Sequence, residues 1–581
     1  MLGALAERAR HQPDVAAYTF IDYDVDPAGF AETLTWAQVN HRVNVVAGNI
    51  AACGSPGDRV AIIAPQGLDY IAGFFGAMLA GFIAVPLSVP IPGGYDERVS
   101  AALQDSLPVA ILTTTAVVND VVACAGALPG FSSAVVEIDA LDLDSAAEFI
   151  APPQIEVALL QYTSGSTRTP AGVVVSHENV SANGQRVLDD FFEDNGGVPP
   201  PNGTIVSWLP FYHDMGLLMG LVAALLGCRH AVLMSPIAFL QKPARWIQLL
   251  ASHPQTFTAA PNFAFELATR RTSDGDMAGR DLADVHTVIS GGERIHAATI
   301  KRFMDRFGRF NLPVNAVAPS YGLAEAMYAG SASRESRPTV VRFDYAELVD
   351  GHAKAGLNAG GLDLVSIGAP RACTVRIVDP ETHAECPDGE VGEVWLHGDN
   401  VASGYWRKPE QSERVFGGRI VDPTPGTPAA RWLRTGDLGV LTDGEFFIVG
   451  RIKDLLIVDG RNHYPDDIEA TIQELTGGRA VAISVADRQS EQLVTIVELK
   501  NRGGSDQAIL DRLHTVKQKV ISAISKVHGL RVADLVVVPP GTIPITTSGK
   551  VRRSACHERY GRGEFARMDA VTTLDTAEVF R

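Results

Sequence analysis

Arg59-Val-Ala-Ile-Ile-Ala-Pro-Gln-Gly-Leu-Asp-Tyr-Ile-Ala-Gly-Phe-Phe-Gly-Ala-Met-Leu-Ala-Gly-Phe-Ile-Ala-Val-Pro86 holds three elements in one line of sequence. Residues 60–64 form a short apolar run, 68–80 a longer helical one, and 82–85 a second short run closed by proline. Short β-branched runs bounded by Gly and Pro read as buried strands, and strand-helix-strand order is the mark of α/β layering. The pattern continues at 109–113 and recurs at 231–234 and 285–290, the last preceding a helix with Ile300, Phe303 and Phe307 on one face. The apolar stretch 71–87 is borderline in length for a membrane span, but Gly81 and Pro86 divide it and Pro90 and Pro92 follow. A second apolar stretch, 216–228, is too short to cross a bilayer, so no transmembrane segment is expected.

Toward the C-terminus the texture changes. Residues 389–450 read as strands with tight turns, including a hairpin signal at Asp443-Gly444. After Gly450 the order is an apolar run at 455–458, a helix from Pro465 to near Gly477, runs at 480–485 and 493–499, a helix over 506–527 and a run at 535–538. That order predicts a small β-α-β-β-α-β unit. The expected division is a large α/β domain over 1–452, closed by a β-rich, barrel-like subdomain at 389–450, and a smaller α+β domain over 453–581.

The 581 residues suffice for three to four domain-sized cores, and 46% hydrophobic with 20% charged residues is ordinary globular composition. A formal net charge of -18 disfavours nucleic acid as a bulk partner, so any anion site must be locally basic. Six scattered cysteines without CxxC spacing read as reduced, and the charged N-terminus shows no signal peptide, so a cytoplasmic location is expected.

Residues 163–172 read Thr-Ser-Gly-Ser-Thr-Arg-Thr-Pro-Ala-Gly directly after the apolar run 157–162. Glycine lets backbone amides approach an anion and the hydroxyls add donors, so the turn suits a polyphosphate, although a polar surface turn would look alike. The Gly-Lys-Ser/Thr of a Walker loop is missing, which argues against an ordinary NTPase or kinase.

Five further segments follow in order: Trp208-Leu-Pro-Phe-Tyr-His-Asp-Met-Gly216; Ser290-Gly-Gly-Glu293; Pro319-Ser-Tyr-Gly-Leu-Ala-Glu325; Leu433-Arg-Thr-Gly-Asp-Leu-Gly439 with Gly450-Arg-Ile-Lys-Asp454; and Pro544-Ile-Thr-Thr-Ser-Gly-Lys550. With the loop they resemble the adenylate-forming superfamily of acyl-CoA synthetases, luciferases and nonribosomal-peptide adenylation domains, over essentially the whole chain. More narrowly, 160–172 and the Tyr-His-Asp-Met-Gly stretch are similar to the fatty acyl-AMP ligases that supply polyketide synthases. The wider superfamily usually has Gly at the position of Arg168 and Lys at that of Ala171. The Gly- and Ala-rich segment 339–364 resembles an insertion that these ligases carry and CoA ligases lack; by itself it reads as a surface loop.

The resemblance implies roles. Thr163, Ser164, Gly165, Ser166, Thr167 and Arg168 would hold the ATP phosphates, Ser290, Gly291 and Gly292 the adenine edge, and Ser320, Tyr321, Gly322 and Ala324 the nucleotide pocket, with Tyr321 stacking on adenine. Asp437 would accept the ribose hydroxyls with Arg451 alongside, and Glu325 with Thr167 would take Mg2+. Lys550 would bridge the substrate carboxylate and the α-phosphate, His213 would contact the carboxylate or acyl phosphate with Asp214 orienting it, and Lys453 would be the hinge on which a mobile small domain turns. Residues 215–226 and 262–266 could wall an acyl tunnel or simply be core.

A carboxylate substrate is already ionised at neutral pH, so its attack on the α-phosphorus of ATP needs no general base and no protein nucleophile. The implied reaction is activation of a medium- or long-chain fatty acid to acyl-AMP with release of pyrophosphate, followed by transfer to the phosphopantetheine thiol of an acyl carrier protein. A fatty acyl-CoA ligase, an amino-acid adenylating domain and a catalytically silent scaffold are the competing readings.

Overall fold

The computed structural model describes residues 1–568 except 91–95, 129, 131, 144, 146–148, 163–169, 336–337, 357–360, 459–460, 488–489, 501–505 and 546–549. The opening stretch forms the strand Arg59–Ile62, the helix Leu68–Leu79 and the strand Ile83–Pro86. The two strands pair in parallel, as a helical crossover requires. They belong to a six-stranded sheet ordered Ala134–Glu137, Ala110–Thr113, Arg59–Ile62, Ile83–Pro86, Val157–Tyr162 and Gly172–Ser176. Only the last pair is antiparallel, a hairpin whose connection carries residues 163–171.

A second sheet of eight strands runs Gly330–Ser331, Val317–Tyr321, Val285–Ser290, Thr256–Ala260, Thr204–Ser207, His230–Met234, Ala16–Asp22 and Phe30–Thr35. It is parallel except at its two ends. The N-terminal segment thus closes one edge, a role that its sequence does not announce. Helices Trp36–Ile50 and Leu68–Leu79 share one continuous core with residues of both sheets, and Trp36, Phe74 and Phe75 are wholly buried in it. Burying each such side chain contributes about 1.5–3 kcal/mol. The segment 71–87 is therefore spent on a buried helix and strand, and no described helix is long and apolar enough to cross a membrane.

The β-rich region begins earlier than residue 389. Its six-stranded sheet runs Val340–Asp344, Gly361–Gly368, Glu445–Arg451, Leu433–Thr442, Gly392–His397 and Thr374–Val378, antiparallel throughout. Its central hairpin turns at Asp443 and Gly444, with φ of 51° and 76°, the left-handed geometry that favours Asp-Gly. The stretch read as a surface loop supplies an edge strand, the short helix Tyr345–Val349 and part of a second strand. Phe343, Leu348 and Leu364 in it are buried against Val440, Phe447 and Tyr464.

In the small unit, strands Ala480–Asp487, Ser490–Glu498 and Val532–Val538 form one sheet with helices Pro465–Thr476 and Asp506–His528. The run expected to be its first strand, Leu456–Val458, instead pairs with Arg461–His463 as a separate ribbon.

Candidate active site

In open α/β sheets, ligands bind beyond the carboxyl ends of the parallel strands. Ser290 and Tyr321 end neighbouring strands of the large sheet, and Tyr162 ends a strand of the other, so the motifs lie at the strand ends where such a crevice is expected. Thr163, Ser164, Gly165, Ser166, Thr167 and Arg168 lie outside the described residues, but both flanks of their loop are fixed. Gln161 donates to the Tyr212 carbonyl at 2.8 Å and the Tyr162 hydroxyl to Asp105 at 2.8 Å. On the far side the Lys408 ammonium donates to the Pro170 carbonyl at 2.5 Å and the Trp406 amide to that of Gly172 at 2.7 Å.

One half of the crevice centres on Asp437, which is 3% exposed. The Tyr321 hydroxyl donates to Oδ2 at 2.6 Å and Arg451 Nε stands 2.7 Å from Oδ1. The Tyr321 ring meets Phe446 edge-on, centroids 5.8 Å apart. An ionised carboxylate has about four lone-pair positions, so two stay open for a vicinal diol. Burial and Asp437 hold the Tyr321 hydroxyl well above its usual range, and Asp437 raises Arg451 further. The turn below is anchored by Glu393, which pairs with Arg434 at 2.9 Å and accepts the Gly436 amide at 3.1 Å.

Glycine is obligatory at Gly322, where a Cβ would stand 2.1 Å from the Met327 carbonyl oxygen. It is preferred at Gly292, with φ of 77° and the Met215 methyl 3.3 Å from an added Cβ. Ser290 is fully buried, Gly291 packs on the Ser320 backbone, and Ser320 is buried, with Ala324 half-buried in the following turn. These small residues leave the strand ends open to a flat ligand.

The other half gathers charge. Lys550 is within electrostatic reach of Glu293, Asp214 and Asp437, which favour its charged form; burial and the nearby Arg451 outweigh them and lower its proton affinity from the ordinary lysine value. Lys453 is lowered in the same way, by burial and then Arg451. Glu293 accepts the Phe263 amide at 2.7 Å, and burial raises its carboxyl. Burial also opposes ionisation of Asp214, but His213, the Met215 amide and Lys550 outweigh it and hold the carboxyl low. His213 Nδ1 lies 2.6 Å from Asp214 Oδ1 at the start of the short helix Asp214–Gly216, and the wholly buried π-helical turn Leu217–Val222 follows.

Glu325 sits in the turn between strands Val317–Tyr321 and Gly330–Ser331; burial raises its carboxyl, and the Tyr405 hydroxyl, donating to Oε1 at 2.7 Å, opposes that rise. No cluster of three or more metal-ligating side chains exists among the described residues. A single carboxylate such as Glu325 is a donor set that fits Mg2+ held mainly by phosphate oxygens.

Two residues that the sequence did not single out hold this arrangement. Arg294 Nη2 meets Asp467 Oδ1 at 2.5 Å, both nearly buried, tying the glycine turn to helix Pro465–Thr476 of the small unit. Tyr405 holds Glu325 from a segment 80 residues away, and its local sequence, small residues before a Tyr-Trp pair, is weak as a signal. Tyr345 likewise reaches the small unit, 3.2 Å from His463 Nδ1 and edge-on to His528.

Residues 5–406 match the AMP-binding enzyme family, and residues 453–569 match the AMP domain of Disco-interacting protein 2-like proteins. The chain is 60% identical over 574 residues to the long-chain-fatty-acid–AMP ligase FadD26 of Mycobacterium marinum, covering 97% of this chain and 98% of that one. It is 57% identical over 577 residues to the 4-hydroxyphenylalkanoate adenylyltransferase of Mycobacterium tuberculosis, covering 98% and 92%. A fatty acyl-adenylate ligase of Legionella pneumophila, solved with acyl adenylate and pyrophosphate, superposes with a TM-score of 0.72 at 31% identity, over 96% of this chain and 95% of that one.

Proposed function

This chain belongs to the AMP-binding enzyme family, among its fatty acid–AMP ligases, and from that premise we propose how its residues divide the work. Tyr321, Asp437 and Arg451 hold the nucleoside, with Asp437 accepting the ribose hydroxyls while Ser290, Gly291, Gly292, Ser320, Gly322 and Ala324 leave room for adenine. The loop with Thr163, Ser164, Gly165, Ser166, Thr167 and Arg168 holds the polyphosphate. Mg2+ would be held by Glu325 and Thr167 and would supply charge neutralisation on the phosphates.

Lys550 is the catalytic cation. Its charge is felt by Glu293, Asp214 and Asp437, so an ammonium there can meet a carboxylate and an α-phosphate brought together at the strand ends. His213 orients the reacting carboxylate and, with its imidazole paired to Asp214, moves no proton. No acid–base relay is required, because the nucleophile enters ionised and pyrophosphate leaves as an anion. Rate enhancement then comes from alignment and electrostatic stabilisation. The buried Asp437, held by Tyr321 at 2.6 Å and Arg451 at 2.7 Å beside the glycine-lined strand ends, is the observation that carries the assignment.

We divide the chain at Lys453, with 1–452 binding nucleotide and acid and 453–581 delivering Lys550, and take Lys453 as the hinge for its withdrawal. The acceptor is the phosphopantetheine thiol of an acyl carrier protein of a polyketide synthase. What supports this is Arg168 and Ala171 in the phosphate loop and the packing of the 339–364 segment against the small unit. The free cysteines and the absence of a membrane-length apolar helix among the described residues favour a cytoplasmic setting.

The deciding assay traps the adenylate across acids of increasing chain length, together with 4-hydroxyphenylalkanoates, and then offers CoA and holo carrier protein in parallel. Adenylation of long-chain acids with thioester formed only on the carrier is expected. Efficient turnover with CoA would overturn the acceptor assignment, and preference for the aryl acid the substrate class.

A further inference from the structure

Residues 399–408 contribute no group to the reaction described so far, yet they touch three of the elements around it. Their anchoring is dense. Asn179, on helix His177–Phe191, donates its side-chain amide to the carbonyls of Asp399 and Val401 at 2.7 and 3.0 Å, and Asn183, one turn on, to that of Asn400 at 3.2 Å. Asn183 is wholly buried and its side-chain Oδ1 accepts the Tyr328 amide at 2.9 Å, while the Asn400 side chain donates to the Tyr328 carbonyl at 2.7 Å. The segment then lies along strand Gly172–Ser176. Val174 donates to the Gly404 carbonyl at 2.9 Å, Tyr405 bridges Val173, and the Trp406 amide donates to the Gly172 carbonyl at 2.7 Å. Gly404 adopts a φ of 153°, with the Ser412 hydroxyl 2.8 Å from where a Cβ would lie, and that hydroxyl accepts the Tyr405 amide at 2.8 Å.

From this braced backbone two contacts reach Glu325. The Ala402 amide donates to its carbonyl at 2.8 Å, and the Tyr405 hydroxyl to its side-chain Oε1 at 2.7 Å. The Tyr405 ring is itself fixed edge-on against Phe416, centroids 5.2 Å apart. A Glu side chain has three rotatable bonds, and leaving it free costs a ligand entropy at each binding event. Here one carboxylate oxygen is occupied and the other is aimed by that occupation.

We propose that Tyr405 is a positioning residue that orients Glu325, so that the 399–408 strap sets the metal-bearing carboxylate in register with the strand leaving the phosphate loop. This rests on Glu325 being the carboxylate that receives Mg2+ with the nucleotide. Tyr405 touches neither the reacting atoms nor the nucleotide in this scheme. Its effect is confined to the metal-dependent part of nucleotide binding.

The test compares binding of a non-hydrolysable ATP analogue by calorimetry, with Mg2+ and with excess EDTA, in the full-length protein. Tyr405→Phe keeps the ring and its packing and removes only the hydroxyl. Losing one charge-assisted hydrogen bond should weaken binding in Mg2+ by about five- to tenfold, leaving the EDTA value unchanged. Glu325→Gln should lose the Mg2+ advantage altogether, and the double variant should lose no more than Glu325→Gln alone. Equal weakening with and without Mg2+ in Tyr405→Phe, or no weakening at all, overturns the positioning role while leaving Glu325 in place. A Glu325→Gln protein that keeps the full Mg2+ advantage overturns the assignment of Glu325, and the role of Tyr405 with it.

Discussion

The two halves of the crevice are built on opposite plans. Around Asp437 the partners are close, few and all supplied by the large unit: Tyr321 at 2.6 Å, Arg451 at 2.7 Å and a turn pinned by Glu393. Around Lys550 the groups come from both units, in a field of mixed sign where Glu293, Asp214 and Asp437 oppose burial and Arg451. The nucleoside half is assembled before anything binds. The Lys550 half depends on how the small unit sits on the large one, a contact to which Arg294 and Asp467 contribute an ion pair at 2.5 Å. A half built within one unit and a half built between two fit the proposed scheme, in which the small unit delivers Lys550 and then withdraws it.

Lys550→Ala gives the sharpest break in that comparison. Acyl-adenylate formation should fall by roughly 10²–10³ or more while the nucleotide dissociation constant stays within a few-fold, because the cation matters mainly to the transition state. Pyrophosphate release at the wild-type rate would remove Lys550 from its role. Asp437→Ala should do the reverse. Nucleotide binding is expected to weaken by about one to two orders of magnitude, and the thermal midpoint to drop, since Tyr321 and Arg451 lose their shared acceptor. Arg451 is 46% exposed at its side chain, so water softens the stability loss to about 1–2 kcal/mol.

Arg294→Met probes the docking itself. Adenylation should slow several-fold with nucleotide affinity retained, and Asp467→Asn combined with it should cost no more than either alone, because both report one contact. Additive losses in the double variant would show that the pair does not act as a unit. The smallest effect is on pH dependence. Burial and Arg451 lower the lysine's proton affinity, so Lys550 loses its proton, and with it the active cation, at a lower pH than an ordinary lysine. The kcat/KM for pyrophosphate release should therefore decline on the alkaline side before the usual lysine range, and Lys550→Arg, where active at all, should lack that limb.

Most elements of the fold were legible, because each is dictated locally. Residues 60–64, 68–80, 82–85 and 506–527 read as strand, helix, strand and helix, and appear as Arg59–Ile62, Leu68–Leu79, Ile83–Pro86 and Asp506–His528. Asp443-Gly444 announced its hairpin through the backbone angles that these two residue types tolerate. The segment 339–364 misled because its Gly and Ala content hides the buried Phe343, Leu348 and Leu364, whose partners lie about 100 residues away in sequence. The candidate site was legible as motifs, yet not as a network. Nothing near Tyr405 or Arg294 in the sequence marks Glu325 and Asp467 as their partners, since those contacts span 80 residues and more.

The sequence by itself determined the residue inventory: a hydroxyl- and glycine-rich loop without a Walker lysine, a lysine in a small-residue turn, carboxylates at Glu325 and Asp437, and alternating elements to carry them. Tertiary structure alone decided that the N-terminal strands close the large sheet, that the 339–364 segment is an edge strand and helix, and that Glu325 is held from residue 405. Propensity and periodicity act over a few residues and are written in order along the chain. Register, burial and hydrogen-bond partnership are settled by which surfaces meet, and that is fixed only when the whole chain packs at once.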